Sequence, residues 1–167
     1  MSIEEFNRLS NADKKELLIN CGGSSAWADK MLEIFPVRDI ADLQKQAQAK
    51  WAEVSKDDWL EAFSKHPKIG DIDILKEKMS GTAAWASGEQ AGVNHASEAI
   101  LHALAKGNKE YEAKFGYIFI VFANGKSAID MLNILQDRLP NSPDEEFKSA
   151  TAEQVKITNL RLEKLFA

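Results

Sequence analysis

The sequence predicts an all-α protein: a single domain over residues 1–167, a helical bundle of about eight helices with one short buried extended segment near 117–123. Two observations carry this. Almost every stretch repeats its apolar residues at the three- and four-residue spacing of one helix face, and most stretches open on Ser, Asp or Asn, whose side chains accept hydrogen bonds from the unpaired amides of a helix start. One stretch breaks the pattern: Tyr117-Ile118-Phe119-Ile120-Val121-Phe122-Ala123 is continuously apolar, rich in β-branched and aromatic residues, and bounded by Gly116 and Asn124-Gly125. No linker, low-complexity tract or internal repeat divides the 167 residues, a length that closes a sizeable core without disulfide or metal staples.

Taken in order, Ser10-Asn11-Ala12-Asp13 opens a helix through Leu17, Leu18 and Ile19 that Gly22-Gly23 stops. Ser24 or Ser25 caps the next, which buries Trp27, Met31 and Ile34 and ends before Pro36. Asp39 begins a third, with Ile40, Leu43, Ala47 and Trp51 on one face. Ser55 caps a fourth: an acid stands three positions on at Asp58, and Trp59, Leu60 and Phe63 share a face. Residues 86–106 form a long helical pattern that is expected to end at Gly107, after which Asn108 caps a short helix carrying Tyr111 and Phe115, closed by Gly116. Ser127 then starts a helix through Ile129, Leu132 and Leu135 to Leu139-Pro140. Ser142-Pro143-Asp144-Glu145 starts the last with N-cap, N1 proline and N3 acid all in place. The extended run at 117–123 has no sheet in which to pair its amides and carbonyls. Some of those groups need other partners, a bound ligand among them.

Composition narrows the function classes. A net charge of −5 argues against a nucleic-acid reader or a polybasic membrane binder, so an anionic substrate needs a locally positive site. Cys21 is the single cysteine, which rules out an intrachain disulfide and a multi-thiol metal site and reads as a small buried hydrophobe. Met1-Ser2-Ile3-Glu4-Glu5 is acidic where a secretory signal is basic, and no uncharged apolar run approaches a membrane span; the expectation is a cytoplasmic protein.

Three features can carry chemistry. In His66-Pro67-Lys68-Ile69-Gly70 a titratable imidazole stands on a corner where a helix must stop, because Pro67 pushes His66 out of the α region. In Trp85-Ala86-Ser87-Gly88-Glu89-Gln90, Ser87 reads as an N-cap, with Glu89 and Gln90 in the first turn. That pattern is either ordinary helix-start chemistry or a carboxylate and carboxamide set beside exposed amides to hold a polar ligand. Arg161, with Ile157 and Leu165 four residues either side, lies along an apolar stripe where a buried cation calls for a partner. His95 and His102 are seven apart on one helix, a spacing unlike a metal pair, and read as structural or solvent-facing. Arg138 reads as a dipole partner at its helix end.

Together these pieces resemble one family. His66-Pro67-Lys68-Ile69-Gly70, Gly88-Glu89-Gln90-Ala91-Gly92, the run from Tyr111 to Phe119, the step from Arg138-Leu139 to Asn141, and Glu153-Gln154-Val155-Lys156-Ile157 to Leu160-Arg161-Leu162 all resemble the 2-oxo-4-hydroxy-4-carboxy-5-ureidoimidazoline (OHCU) decarboxylase family, in the same order and at similar spacing from Phe6 to Leu165. The resemblance implies an all-helical, cofactor-free and metal-free carboxy-lyase, a homodimer, that performs the last step of urate degradation and yields (S)-allantoin. It implies that His66 is catalytic as the proton-transfer residue and that Glu89 supports it. Pro67, Gln90, the backbone of Phe119, Ile120, Val121, Phe122 and Ala123, and Arg161 fall on substrate-contacting positions. The family commonly has a serine three residues before the glutamate, where this chain has Ala86. Either Ser87, one place later, substitutes as a substrate contact, or that hydrogen bond is missing. Two rival readings stand beside this one: a non-catalytic helical binding or adaptor module in which His66-Pro67 is only a turn, and a hydrolase of a cyclic ureide.

Overall fold

A computed structural model of the protein describes residues 1–67 and 91–167, the side chains of 91–97 excepted. Among the described residues it has eight α-helices and no strand: α1 (Ile3–Arg8), α2 (Asn11–Gly22), α3 (Ser25–Leu32), α4 (Ile40–Trp51), α5 (Lys56–Ser64), α6 (Ala91–Phe115), α7 (Ala128–Arg138) and α8 (Pro143–Lys164). The chain groups into two compact units, Met1–His66 with Thr151–Ala167, and Pro67–Ala150. Helix α8 contributes its first turns to the second unit and the rest to the first.

In the first unit the expected caps form. The side chains of Ser10, Ser24, Asp39 and Ser55 each accept from a backbone amide three residues on, and Ser55 with Asp58 completes a reciprocal box. Helix α1 is an element that the sequence reading passed over. Its signal is Ser2 followed by Glu5, which makes the same reciprocal box. Helix α2 ends at Gly23, whose φ of 79° is a left-handed conformation that a side chain resists. The core gathers Phe6, Leu18, Trp27, Met31, Leu43, Trp51, Ala62 and Leu162. Trp27 stacks on Trp51 with ring centroids 5.0 Å apart, Trp51 stacks on Trp59 at 4.2 Å, and the Trp27 indole N–H donates to the Ala47 carbonyl at 3.1 Å. Ile34, expected in this core, falls beyond the end of α3 and is half-buried.

The second unit packs α6 against α7 around Leu101, Leu104, Tyr111, Phe119, Met131, Leu132 and Leu135. Here the structure corrects the sequence reading. Gly107 does not end a helix: α6 runs unbroken through it to Phe115, and Asn108 caps nothing, its side-chain amide donating instead to the Leu104 carbonyl one turn back at 2.8 Å. A Cβ on Gly107 would stand 2.6 Å from Leu135 Cδ2, so the glycine is there for close helix approach. Helix α6 ends instead at Gly116, where φ is +84°. Ile129, placed on the buried face of α7, is 43% exposed, while its neighbour Met131 takes the core position.

Candidate active site

His66 stands one residue past the C-cap Lys65 of α5, its amide closing on the Phe63 carbonyl at 3.3 Å before Pro67 breaks the helix. The half-buried imidazole is tied by its Nε2 to Oε1 of Gln154 on α8, 2.6 Å away. Gln154 is fully buried, and its amide nitrogen donates to the Gly22 carbonyl at 3.2 Å and to Thr158 Oγ1 at 3.3 Å. Thr158 in turn donates to the Gln154 carbonyl at 2.9 Å. Two turns on from Gln154, Arg161 donates through NH1 to the Cys21 carbonyl at 3.4 Å.

These contacts share a cause. The last carbonyls of α2 have no partner within their own helix and carry the negative end of its dipole. Gln154, Thr158 and Arg161, spaced four and three residues apart, project from one face of α8, and Gln154 and Arg161 supply the donors that α2 lacks. This answers the partner that Arg161 requires. It also brings His66 and Arg161 to one region of the first unit, each joined through α8 to the Cys21-Gly22 end of α2. Gln154 is the residue the sequence reading missed as part of the site. Its signal is a polar line along a helix that is otherwise half apolar. Gly22 also packs closely: a Cβ on it would collide with the Trp27 ring, so the end of α2 lies against that indole only because the residue has no side chain. The Cys21 thiol is 3% exposed, and burial pushes its pKa up to about 11 against the opposing charge of Arg161, which makes it a poor nucleophile at neutral pH.

The segment 117–123 is neither helix nor strand, and burial is centred on Phe119 and Ile120, with Ala123 exposed. Part of its backbone finds partners inside the protein. The Ile120 carbonyl accepts from Arg138 NH1 at 2.7 Å, the Phe122 carbonyl from Lys126 Nζ at 2.7 Å, and the Ala123 carbonyl from the Lys126 amide at 3.0 Å. Arg138 is therefore more than a helix-end dipole partner. It is buried, its Nε donates to Glu146 at 2.8 Å, and its guanidinium lies over the Phe119 ring, 4.7 Å from the centroid. Glu146 also accepts from the Tyr111 hydroxyl and from Asn141. Burial first, and the Glu146 carboxylate second, push the Tyr111 phenol far above its ordinary pKa, so it stays a donor at all physiological pH.

Ser87, Glu89 and Gln90 lie outside the described residues, as does the side chain of His95; His102 is exposed. Among the described residues no group of three or more His, Cys, Asp or Glu side chains is placed to hold a metal ion.

Comparison with known proteins bears on what such an arrangement is for. The chain is 35% identical over 147 residues to the uric acid degradation bifunctional protein TTL of Arabidopsis thaliana, a match covering 88% of this chain and 45% of that protein; this chain thus spans less than half of the Arabidopsis protein. It is 26% identical to the 2-oxo-4-hydroxy-4-carboxy-5-ureidoimidazoline decarboxylase of Halalkalicoccus jeotgali, covering 99% of this chain and 92% of that one. A crystal structure of OHCU decarboxylase, solved in the presence of (S)-allantoin, superposes with a TM-score of 0.70 at 36% identity, covering 89% of this chain and 95% of that chain. The family model for OHCU decarboxylase matches residues 7–163, so the chain belongs to the OHCU decarboxylase family.

Proposed function

We propose that this chain is a carboxy-lyase that decarboxylates OHCU to (S)-allantoin without a cofactor, as the last step of urate degradation. The observation that carries the reading is the family match over residues 7–163, within which the histidine of the His-Pro motif is held by two hydrogen-bonded steps to a helix end. That match also supports treating residues 1–167 as one functional domain.

The chemistry asks little beyond positioning and proton management. When the bond from the hydroxyl-bearing ring carbon to the carboxylate breaks, its electron pair passes into the adjacent ring C=N, so the substrate supplies its own electron sink. CO2 leaves, and the ring nitrogen that received the pair takes up a proton. The hydroxyl oxygen gives up its own to become a carbonyl, and the neighbouring ureido-bearing carbon, which becomes the stereocentre, takes up a proton. His66, held by Gln154 and supported by Glu89, exchanges that proton with the substrate on one face, which gives a single enantiomer. Arg161 and Gln90, with Pro67, Ser87 and the backbone from Phe119 to Ala123, grip the ureido and ring amide groups. Orienting a small substrate in this way lowers a barrier by several kcal/mol, up to roughly 7–11 in favourable systems.

The cytoplasm as location and a homodimer as the assembly belong to the same proposal. The family resemblance supports the dimer, which sedimentation tests directly. Among the described residues no helix is long and apolar enough to cross a membrane.

The experiment is circular dichroism of freshly generated OHCU with and without the protein. The expected result is rapid growth of the (S)-allantoin signal over a spontaneous background that yields racemate. His66→Ala should remove the enantiomeric excess while the helical spectrum survives. Racemate at the spontaneous rate from the unsubstituted protein would end the reading.

A further inference from the structure

We infer that Lys126 is a positioning residue for the run 119–123: with Arg138 it holds two peptide groups of that run so that the amides of Val121 and Ala123 are aimed, as donors, at carbonyl oxygens of the substrate. The inference rests on the function proposed above, in which the backbone of this run contacts substrate. It follows from the planarity of the peptide group.

The chain folds Lys126 back onto the run. Its amide closes a β-turn on the Ala123 carbonyl at 3.0 Å, and Gly125 supplies the positive φ, 74°, at the third position of that turn. From there the ammonium donates to the Phe122 carbonyl at 2.7 Å and lies 5.2 Å from the centroid of the Phe122 ring, so one side chain grips both the backbone and the ring of that residue. Two residues earlier, Arg138 holds the Ile120 carbonyl at 2.7 Å. In a planar trans peptide the C=O and the N–H of the next residue point in opposite directions. The Val121 amide therefore points away from Arg138, and the Ala123 amide away from Lys126. Among the described residues neither amide has an acceptor. Both peptide groups are also polarised: a cation on the carbonyl oxygen draws electron density through the amide and makes its N–H a stronger donor. Val121 is half-buried and Ala123 exposed, in contrast to the buried Phe119 and Ile120, so the pair lies where a ligand reaches it. Such donors call for an acceptor. The substrate offers one in its ureido carbonyl and another in its ring carbonyl, whereas its ureido N–H groups, donors themselves, do not fit there.

The test combines amide NMR of the full chain with steady-state kinetics. Adding (S)-allantoin to the unsubstituted protein should move the assigned amide protons of Val121 and Ala123 downfield, as a new acceptor does. Lys126→Met removes the ammonium and keeps an apolar stem. It should raise KM for OHCU roughly 3- to 10-fold, the net worth of about one hydrogen bond, with kcat within twofold of the parent and the helical spectrum unchanged. Lys126→Arg can still donate to the Phe122 carbonyl and should keep KM within twofold of the parent. Val121 and Ala123 amides that stay in place at saturating (S)-allantoin overturn the inference with no variant needed. A Lys126→Met protein with a lowered urea midpoint and a parental KM overturns it too, since its lysine would then serve the fold alone. Failure of the proposed function looks different: the unsubstituted protein leaves the formation of (S)-allantoin from OHCU at its spontaneous rate.

Discussion

Arg138 NH1 donates to the carbonyl of Ile120 at 2.7 Å, while the same guanidinium pairs with Glu146. One buried cation thus fixes the middle of the only apolar non-helical run that the sequence reading singled out, and an acid from α8 fixes the cation. Charges are costly to bury, and such a group holds its place only when every partner is present. Removing the cation strands Glu146 and the Ile120 carbonyl together. Arg138→Met should therefore cost about 3–5 kcal/mol in chemical denaturation, a large part of a small protein's stability. Arg138→Lys should recover only part of this, because an ammonium lacks the planar fork that reaches both oxygens. Equal stability of Arg138→Met and the parent would show that the network carries no net stabilisation.

Gly107 supplies a prediction in which two effects have opposite signs. Helix propensity alone says Gly107→Ala in the interior of α6 stabilises by about 1 kcal/mol. The Cβ, however, would stand 2.6 Å from Cδ2 and 3.3 Å from Cγ of Leu135, a side chain with no exposed surface into which to retreat. Overpacking of that kind costs about 1–3 kcal/mol. The expected outcome is net destabilisation, read as a lowered urea midpoint. Gly107→Ala with Leu135→Ala together should cost less than the sum of the two single changes, because the smaller partner makes room.

These two residues also show where the sequence was legible. Ser10, Asp39, Ser55 and Ser127 were read correctly as helix starts, and Ser24 as one of two candidates with Ser25, because a cap bonds to an amide three residues away, and that information is local. Gly107 was misread as a stop because its reason lies in Leu135, on another helix. Arg138 was read only in part, as a cation in the last turn of its helix, because Glu146 and Ile120 lie 8 and 18 positions away. His66 was legible through Pro67, its neighbour, whereas Gln154 was not, being 88 positions from the ring it holds. Arg161 falls between the two cases. Its spacing announced that it needed a partner, and only the fold supplied Cys21.

For Arg161 the prediction separates structure from chemistry. The contact to the Cys21 carbonyl is a single hydrogen bond, which an ammonium can also make, so Arg161→Lys should leave the urea midpoint nearly unchanged. If the guanidinium also grips substrate, kcat/KM should fall roughly 10- to 100-fold, the worth of a charge-assisted bond at about 1.5–3 kcal/mol. An unchanged kcat/KM would remove Arg161 from the site.

Cys21 gives a pH dependence of definite sign. Burial raises the thiol pKa from its ordinary 9.0 to about 11 in the folded protein, with the Arg161 charge opposing. Between those two values the unfolded chain has already lost a proton that the native state still holds, so unfolding releases a proton and each rise in pH favours it. The contribution is whole below pH 9 and is lost as pH climbs through the folded value, to a limit of about 3 kcal/mol at roughly 1.4 kcal/mol per pKa unit. Alanine at this position forfeits some packing at every pH but has nothing to titrate. The stability gap between the parent and Cys21→Ala, measured by urea unfolding from pH 7 to 11, should therefore narrow above pH 9. Curves that stay parallel across that range would mean that the thiolate is solvated in the native protein, and that the Cys21 end of α2 is open to water.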